Sequence, residues 1–216
     1  SLPHMLPTKE LFQDEVRKLG VNKETTIIVY DDVGLYASPR AWWMFRAMGH
    51  QQVAVLNGGL PKWLKEDRDV VGEYSNPEPG DFEADLDDNF FCDFEIVLKA
   101  LYEPNCQVLD ARSAARFKGI DPEPRPGVRA GHMPNAKNLP FTDLLAGGEL
   151  RSVQELNEIF TGLTTKNNKV ITTCGSGITA CILTLAASVA GYKNLAVYDG
   201  SWAEWGLPGK LPVTVD

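Results

Sequence analysis

The 216 residues suffice for one large domain or two small ones, and 44% hydrophobic with 23% charged residues exclude a disordered, collagenous or coiled-coil chain. Twenty-one basic residues against 29 acidic ones leave a net charge of −8, which argues against sequence-independent binding to nucleic acid phosphates. Cys92, Cys106, Cys174 and Cys181 form neither a CxxC pair nor a dense disulfide framework, and no two cysteines or histidines stand at the spacing of a zinc site.

The N-terminal SLPHMLPTKE has neither the basic nor the apolar region of a signal peptide. The longest apolar stretch, 178–190, is too short to span a bilayer, so no membrane partner is expected. The cytosol is the default compartment and mitochondria the alternative. Thr8 and Gly20 bracket a first helix, and Ile27, Ile28, Val29 and Tyr30 form a β run. The segment GHQQVAVLNGGLPKW (49–63) then has a counterpart in GYKNLAVYDGSWAEW (191–205), which pairs Gly49, Val53, Val55, Gly58 and Trp63 with Gly191, Leu195, Val197, Gly200 and Trp205. The run at 27–30 likewise matches 170–173, and the helix start at Thr8 matches Ser152, which makes a capping box with Glu155.

Each copy therefore reads as capped helix, β run, loop, apolar helix, short β run, glycine turn and tryptophan-bearing helix. Such alternation implies an α/β fold, a parallel sheet flanked by helices on both faces. Between the copies, Glu78, Asp81, Glu83, Asp85, Asp87, Asp88, Asp93 and Glu95 occur with no lysine or arginine, so this stretch accounts for the whole net charge. The expected division is residues 1–75 as the back half of one α/β domain, 76–92 as an acidic linker, and 93–216 as a complete domain. Residues 93–148 have no counterpart before Leu6. The first copy is therefore expected to be incomplete, either continued by residues upstream or packed on its neighbour.

The chemistry concentrates where the second β run meets its helix, at Cys174-Gly175-Ser176-Gly177-Ile178-Thr179. Ligands bind at this end of parallel strands, where the N–H groups of the helix start and its partial positive charge favour a thiolate over a thiol. The two glycines let the backbone curl around the sulfur as an anion nest. A cysteine-based phosphatase would need an arginine six residues after the nucleophile, and position 180 is Ala180. Segment 112–129 carries Arg112, Arg116, Lys118, Arg125 and Arg129 against Asp121 and Glu123, a basic patch suited to gripping a small carboxylate. Arg112, Lys118 and Arg129 are read as solvated surface charges. His50, His132, Cys181 and the five tryptophans are read as packing residues, and Asn135 as a left-handed turn position.

CGSGIT, with YDGSWAEWG downstream and VLDARSAARFKGIDPEPR upstream, resembles the rhodanese superfamily, and within it the branch that uses 3-mercaptopyruvate. HMLP (4–7) and YASPRAWWMFRAMGH (36–50) extend the resemblance over essentially the whole chain. It implies tandem rhodanese-like domains with the second one catalytic and with no metal or organic cofactor. Cys174 would take sulfur from a small anionic donor, release pyruvate, and pass the persulfide sulfur to thioredoxin, another thiol or cyanide. Gly175, Gly177, Ile178 and Thr179 would line the nest for the outer sulfur. Arg116 and Arg125 would clamp the substrate, and Ser176 and His4 would be two members of a serine–histidine–aspartate proton relay whose aspartate falls before Ser1. Asp31 takes the place of Cys174 in the first copy, which is therefore expected to be catalytically silent, with Asp31 a structural cap and that copy a wall of the cleft. Thiosulfate as donor and a non-catalytic binding module are the alternatives.

Overall fold

A computed structural model describes residues 2–73 and 75–215. The first copy runs α1 (Lys9–Lys18), β1 (Ile27–Val29), α2 (Ser38–Ala47), β2 (Val53–Val55) and α3 (Gly59–Lys65). The second begins with β3 (Phe91–Cys92), α4 (Phe94–Ala100), β4 (Cys106–Asp110), α5 (Ala114–Phe117), β5 (Lys137–Asn138) and the short hairpin β6 (Leu145–Ala146) and β7 (Glu149–Leu150). It then repeats the order of the first copy as α6 (Val153–Thr161), β8 (Lys169–Thr173), α7 (Ala180–Val189), β9 (Leu195–Tyr198) and α8 (Ser201–Trp205). The register repeats too: Ile27 pairs with Val53, and Val170 with Leu195, both in parallel.

Local chemistry sets these boundaries. The Thr8 side chain accepts from the N–H of Leu11 to start α1, and Gly20, at φ +74°, takes the chain out of it. Ser152 and Glu155 form the expected reciprocal capping box on α6. Strands β3-β9-β8-β4-β5 form one all-parallel sheet, with β8 flanked by β9 and β4. Residues 180–187 of α7 are all buried, which accounts for its apolar character all round.

The two copies share a core. Helix α2 packs on α7, and Phe12, Trp42, Trp43, Phe45 and Met48 of the first copy join one apolar cluster with Leu156, Phe160, Leu183, Ala187 and Tyr192 of the second. Trp202 and Trp205 lie in a second cluster on the other side of the sheet. The opposite face of the first copy is open. Ile28 is 55% and Tyr30 59% exposed, whereas their counterparts Ile171 and Thr173 are fully buried beneath the elements that precede β8.

The acidic connection is not a free tether. Phe82 and Ala84 enter the shared core, the N–H groups of Gly80 and Phe82 donate to Arg17 and Val21, and those of Asp85 and Asp87 donate to Met48 and Ala47. The acidic side chains at 81, 83, 85 and 87 alternate outward with the apolar ones turned inward, so the segment is stitched along the first copy in extended form.

Candidate active site

Strand β8 delivers Cys174 to the head of α7, and the turn between β9 and α8 holds the loop in shape. The N–H groups of Trp202 and Ala203 donate to the carbonyls of Cys174 and Gly175, both at 2.9 Å. With those carbonyls tied outward, the loop amides turn toward the sulfur. Gly177 and Ser176 N–H groups approach Cys174 Sγ at 3.1 and 3.4 Å. Cys174 is only 2% exposed, while Gly175, Ile178 and Thr179 are half-buried and make the outer side of the loop. Gly177 adopts φ +85°, which opens the curl at little steric cost.

Ser201 escaped the sequence reading. Its hydroxyl accepts from the Cys174 N–H at 3.2 Å and donates to the Tyr198 carbonyl at 2.8 Å, with the residue strained at φ +49°. Its counterpart Gly59 adopts φ +56° without that cost. Ser201→Gly and Ser201→Ala both lose the hydroxyl, but only glycine relieves the backbone. The glycine variant is expected to be the more stable of the two by about 1 kcal/mol in urea unfolding.

Arg116 and Arg125 converge on the loop. A Cβ added at Gly175 would lie 3.1 Å from Nη2 of Arg116 and 3.9 Å from Nη1 of Arg125. Arg116 spends its Nε and one Nη2 proton on Glu123, at 3.2 and 2.6 Å, which leaves the rest of its fork facing the loop. Arg112 is not the surface charge expected. Its side chain is fully buried, held by Asp110 at 2.7 Å, by Glu123 at 2.9 Å and by the Gly131 carbonyl, and stacked on Trp202 at 4.1 Å. Burial pulls its guanidinium down, but Asp110 and Glu123 outweigh that and hold it above its ordinary range. Arg129 also differs from expectation, since its fork donates to the carbonyls of Trp205, Gly206 and Leu211. Lys118 is exposed as read. Asp110, Arg112 and Glu123 thus form a buried scaffold that aims Arg116.

His4 comes from the far end of the chain to the same loop, and its Nδ1 shares a 2.9 Å hydrogen bond with the Ser176 hydroxyl. Two further residues that the sequence reading passed over meet here. Arg40 of α2 and Asp199 after β9 form a buried ion pair at 2.7 Å.

The other cysteines are unlike Cys174. All four are free thiols, and burial pushes Cys92 and Cys181 up to about 12, so neither is a thiolate at neutral pH. Burial also raises Cys106. In the first copy, the Asp31 carboxylate fills its own nest, accepting from the N–H groups of Tyr36, Ala37 and Ser38 and from the Ser38 hydroxyl at 2.6 Å. Burial raises its carboxyl, but the Ser38 hydroxyl and these amides prevail and keep it below the usual carboxylate range. His50 and His132 are packed as expected, against Phe45 and Phe82 and on Phe117, and Asn135 takes φ +61°.

A strand-end cysteine with loop amides on its sulfur and two arginines beside it is an arrangement suited to covalent chemistry on a small anion, here on a repeated α/β order of elements. The Rhodanese-like domain family matches residues 2–66 and 93–207, and the chain belongs to that family. A 3-mercaptopyruvate sulfurtransferase of Escherichia coli (strain K12) is 44% identical over 214 residues, 98% of this chain and 76% of that protein. A thiosulfate sulfurtransferase of Gallus gallus is 42% identical over 205 residues, 93% of this chain and 70% of that protein. The crystal structure of SseA from Escherichia coli, described as a 3-mercaptopyruvate sulfotransferase, superimposes with a TM-score of 0.83 at 40% identity, covering 93% of this chain and 76% of that one.

Proposed function

We propose that this chain transfers sulfur from 3-mercaptopyruvate, through a persulfide on Cys174, to a thiol acceptor or cyanide. The Cys174 thiolate attacks the donor sulfur, an S–S bond forms, and the carbon–sulfur bond breaks with its electron pair going to carbon as pyruvate enolate. The donor's thiol proton ends on that carbon, so the products are pyruvate and an enzyme persulfide anion. Cyanide then takes the outer sulfur as thiocyanate. A thiol takes it as a new persulfide, which a dithiol of the thioredoxin type resolves to its own disulfide with release of sulfide.

Each residue has a task in this reading. Gly177 and Ser176 N–H groups stabilise the sulfur anion, and Ile178 and Thr179 complete the nest with Gly175. Arg116 and Arg125 hold the carboxylate and the carbonyl, where enolate charge develops. Ser176 and His4 carry the thiol proton.

The observation that carries the choice of donor is the 2.9 Å His4–Ser176 bond inside an uncharged Gly-Ser-Gly loop. A thiol donor has a proton to move and thiosulfate has none. Relatives under both names are about equally similar, so overall identity does not discriminate. Pyruvate release from 3-mercaptopyruvate measured beside thiocyanate formation from thiosulfate and cyanide tests the reading. The mercaptopyruvate kcat/KM is expected to be the larger. Thiosulfate as the far better donor would make the chain a thiosulfate sulfurtransferase, and turnover of neither would leave a binding module.

Arg116→Leu removes charge-assisted hydrogen bonds to the substrate and is expected to cut kcat/KM for 3-mercaptopyruvate about 10- to 100-fold. Arg116→Lys should not restore it, because a point charge cannot grip Glu123 and the substrate together. Steady-state pyruvate assays read both variants.

A further inference from the structure

We propose that Arg40 and Asp199 are a positioning pair that clips the His4 segment in place and thereby sets the Ser176–His4 contact for thiol donors. This rests on the sulfur-transfer reading above and names residues to which no task has yet been given. Arg40 comes from α2 of the catalytically silent first copy, and Asp199 from the turn that holds the Cys174 loop.

The pair grips His4-Met5-Leu6 at both ends. Arg40 Nη2 donates to the His4 carbonyl at 2.7 Å and lies 2.7 Å from Asp199 Oδ1 as an ion pair, while Asp199 Oδ2 accepts from the Leu6 N–H at 2.7 Å. The same guanidinium points Nη1 at the Gly177 carbonyl, 3.4 Å away, and lies 4.8 Å over the ring of Phe91. One planar fork therefore touches the backbone of His4 and of the residue whose N–H meets Cys174 Sγ. His4 has φ +58°, a left-handed conformation that a non-glycine residue holds only when its surroundings impose it. The side chains of Arg40 and Asp199 are 5% and 7% exposed. A pair so buried brings little net stability over apolar residues of the same shape, and what it supplies is geometry.

The consequence depends on the donor. With 3-mercaptopyruvate the thiol proton must leave sulfur and reach carbon. With thiosulfate, the Cys174 thiolate takes the outer sulfur, the S–S bond of thiosulfate breaks, and sulfite leaves with the electron pair, so no proton moves. Misplacing His4 therefore slows only the first reaction.

Arg40→Lys keeps the charge opposite Asp199 but cannot bridge all the acceptors. In the full chain, kcat for 3-mercaptopyruvate is expected to fall about 10- to 100-fold with KM changed by less than about threefold, while thiosulfate turnover falls by no more than about threefold. Added to Ser176→Ala, Arg40→Lys should cost nothing more. Equal losses with both donors, or additive losses in the double variant, would show a general support of the loop and overturn the proposal. If Arg40→Lys fails to fold by its melting curve, Asp199→Asn is read by the same donor ratio. A second readout needs no turnover and so separates this proposal from the choice of donor. With only three histidines in the chain, the His4 ring signals can be followed by NMR. Arg40→Lys should move them in the direction that Ser176→Ala does, and unmoved signals would refute the pair's role.

Discussion

Cys174→Ser is expected to abolish sulfur transfer from any donor, lowering turnover at least about 10³-fold. The nest is built for an anion: two loop amides meet the sulfur, the glycines admit close approach, and the start of α7 adds its partial positive charge. A serine hydroxyl stays protonated at neutral pH and forms no persulfide. No other cysteine can take over. Cys92 and Cys181 are buried thiols pushed up to about 12, Cys106 is also raised by burial, and none of the three touches the loop amides in the way Cys174 does. Pyruvate and thiocyanate assays on the variant check this. Activity retained within tenfold would remove Cys174 from the nucleophile's place.

Arg112→Ala is expected to destabilise the fold by about 3–5 kcal/mol in urea unfolding. It would leave Asp110 and Glu123, whose side chains are 1% and 3% exposed, as buried carboxylates without their common partner. It would also empty the space over Trp202 and loosen the Glu123 grip on Arg116. Arg112→Lys should recover only part of the loss, since the bidentate contact to Asp110 and the bond to Glu123 need a fork. The exposed Lys118→Ala is the control and should move stability by no more than about 0.5 kcal/mol.

What could be read from the sequence was local. The Cys174 loop announces itself because nucleophile, glycines and helix start are contiguous, and the repeat exposes the order of elements because both copies keep their apolar spacing. The Arg112 scaffold was hidden. Its partners Glu123 and Gly131 lie 11 and 19 residues away, and five cations in a short segment look like a solvated face until folding buries one of them. Arg40 was further out of reach, because its acceptors at His4 and Gly177 are 36 and 137 residues distant. A lone arginine within the apolar run SPRAWWMF was the available signal. The acidic stretch carried a readable sign as well: Phe82, Ala84 and Leu86 alternate with acids, the period of an extended segment with one face buried. Composition alone had concealed it.

Passage of sulfur through Cys174 is checked by treating the chain with 3-mercaptopyruvate in the absence of acceptor, then measuring its intact mass, the fragment ions of its cysteine peptides and the pyruvate formed. One added sulfur atom per chain, located by fragment ions on Cys174 and not on Cys181 of the same peptide, and matched by one pyruvate, is the expected outcome. Pyruvate released with no sulfur on Cys174, or with the sulfur on Cys92, Cys106 or Cys181, would contradict it.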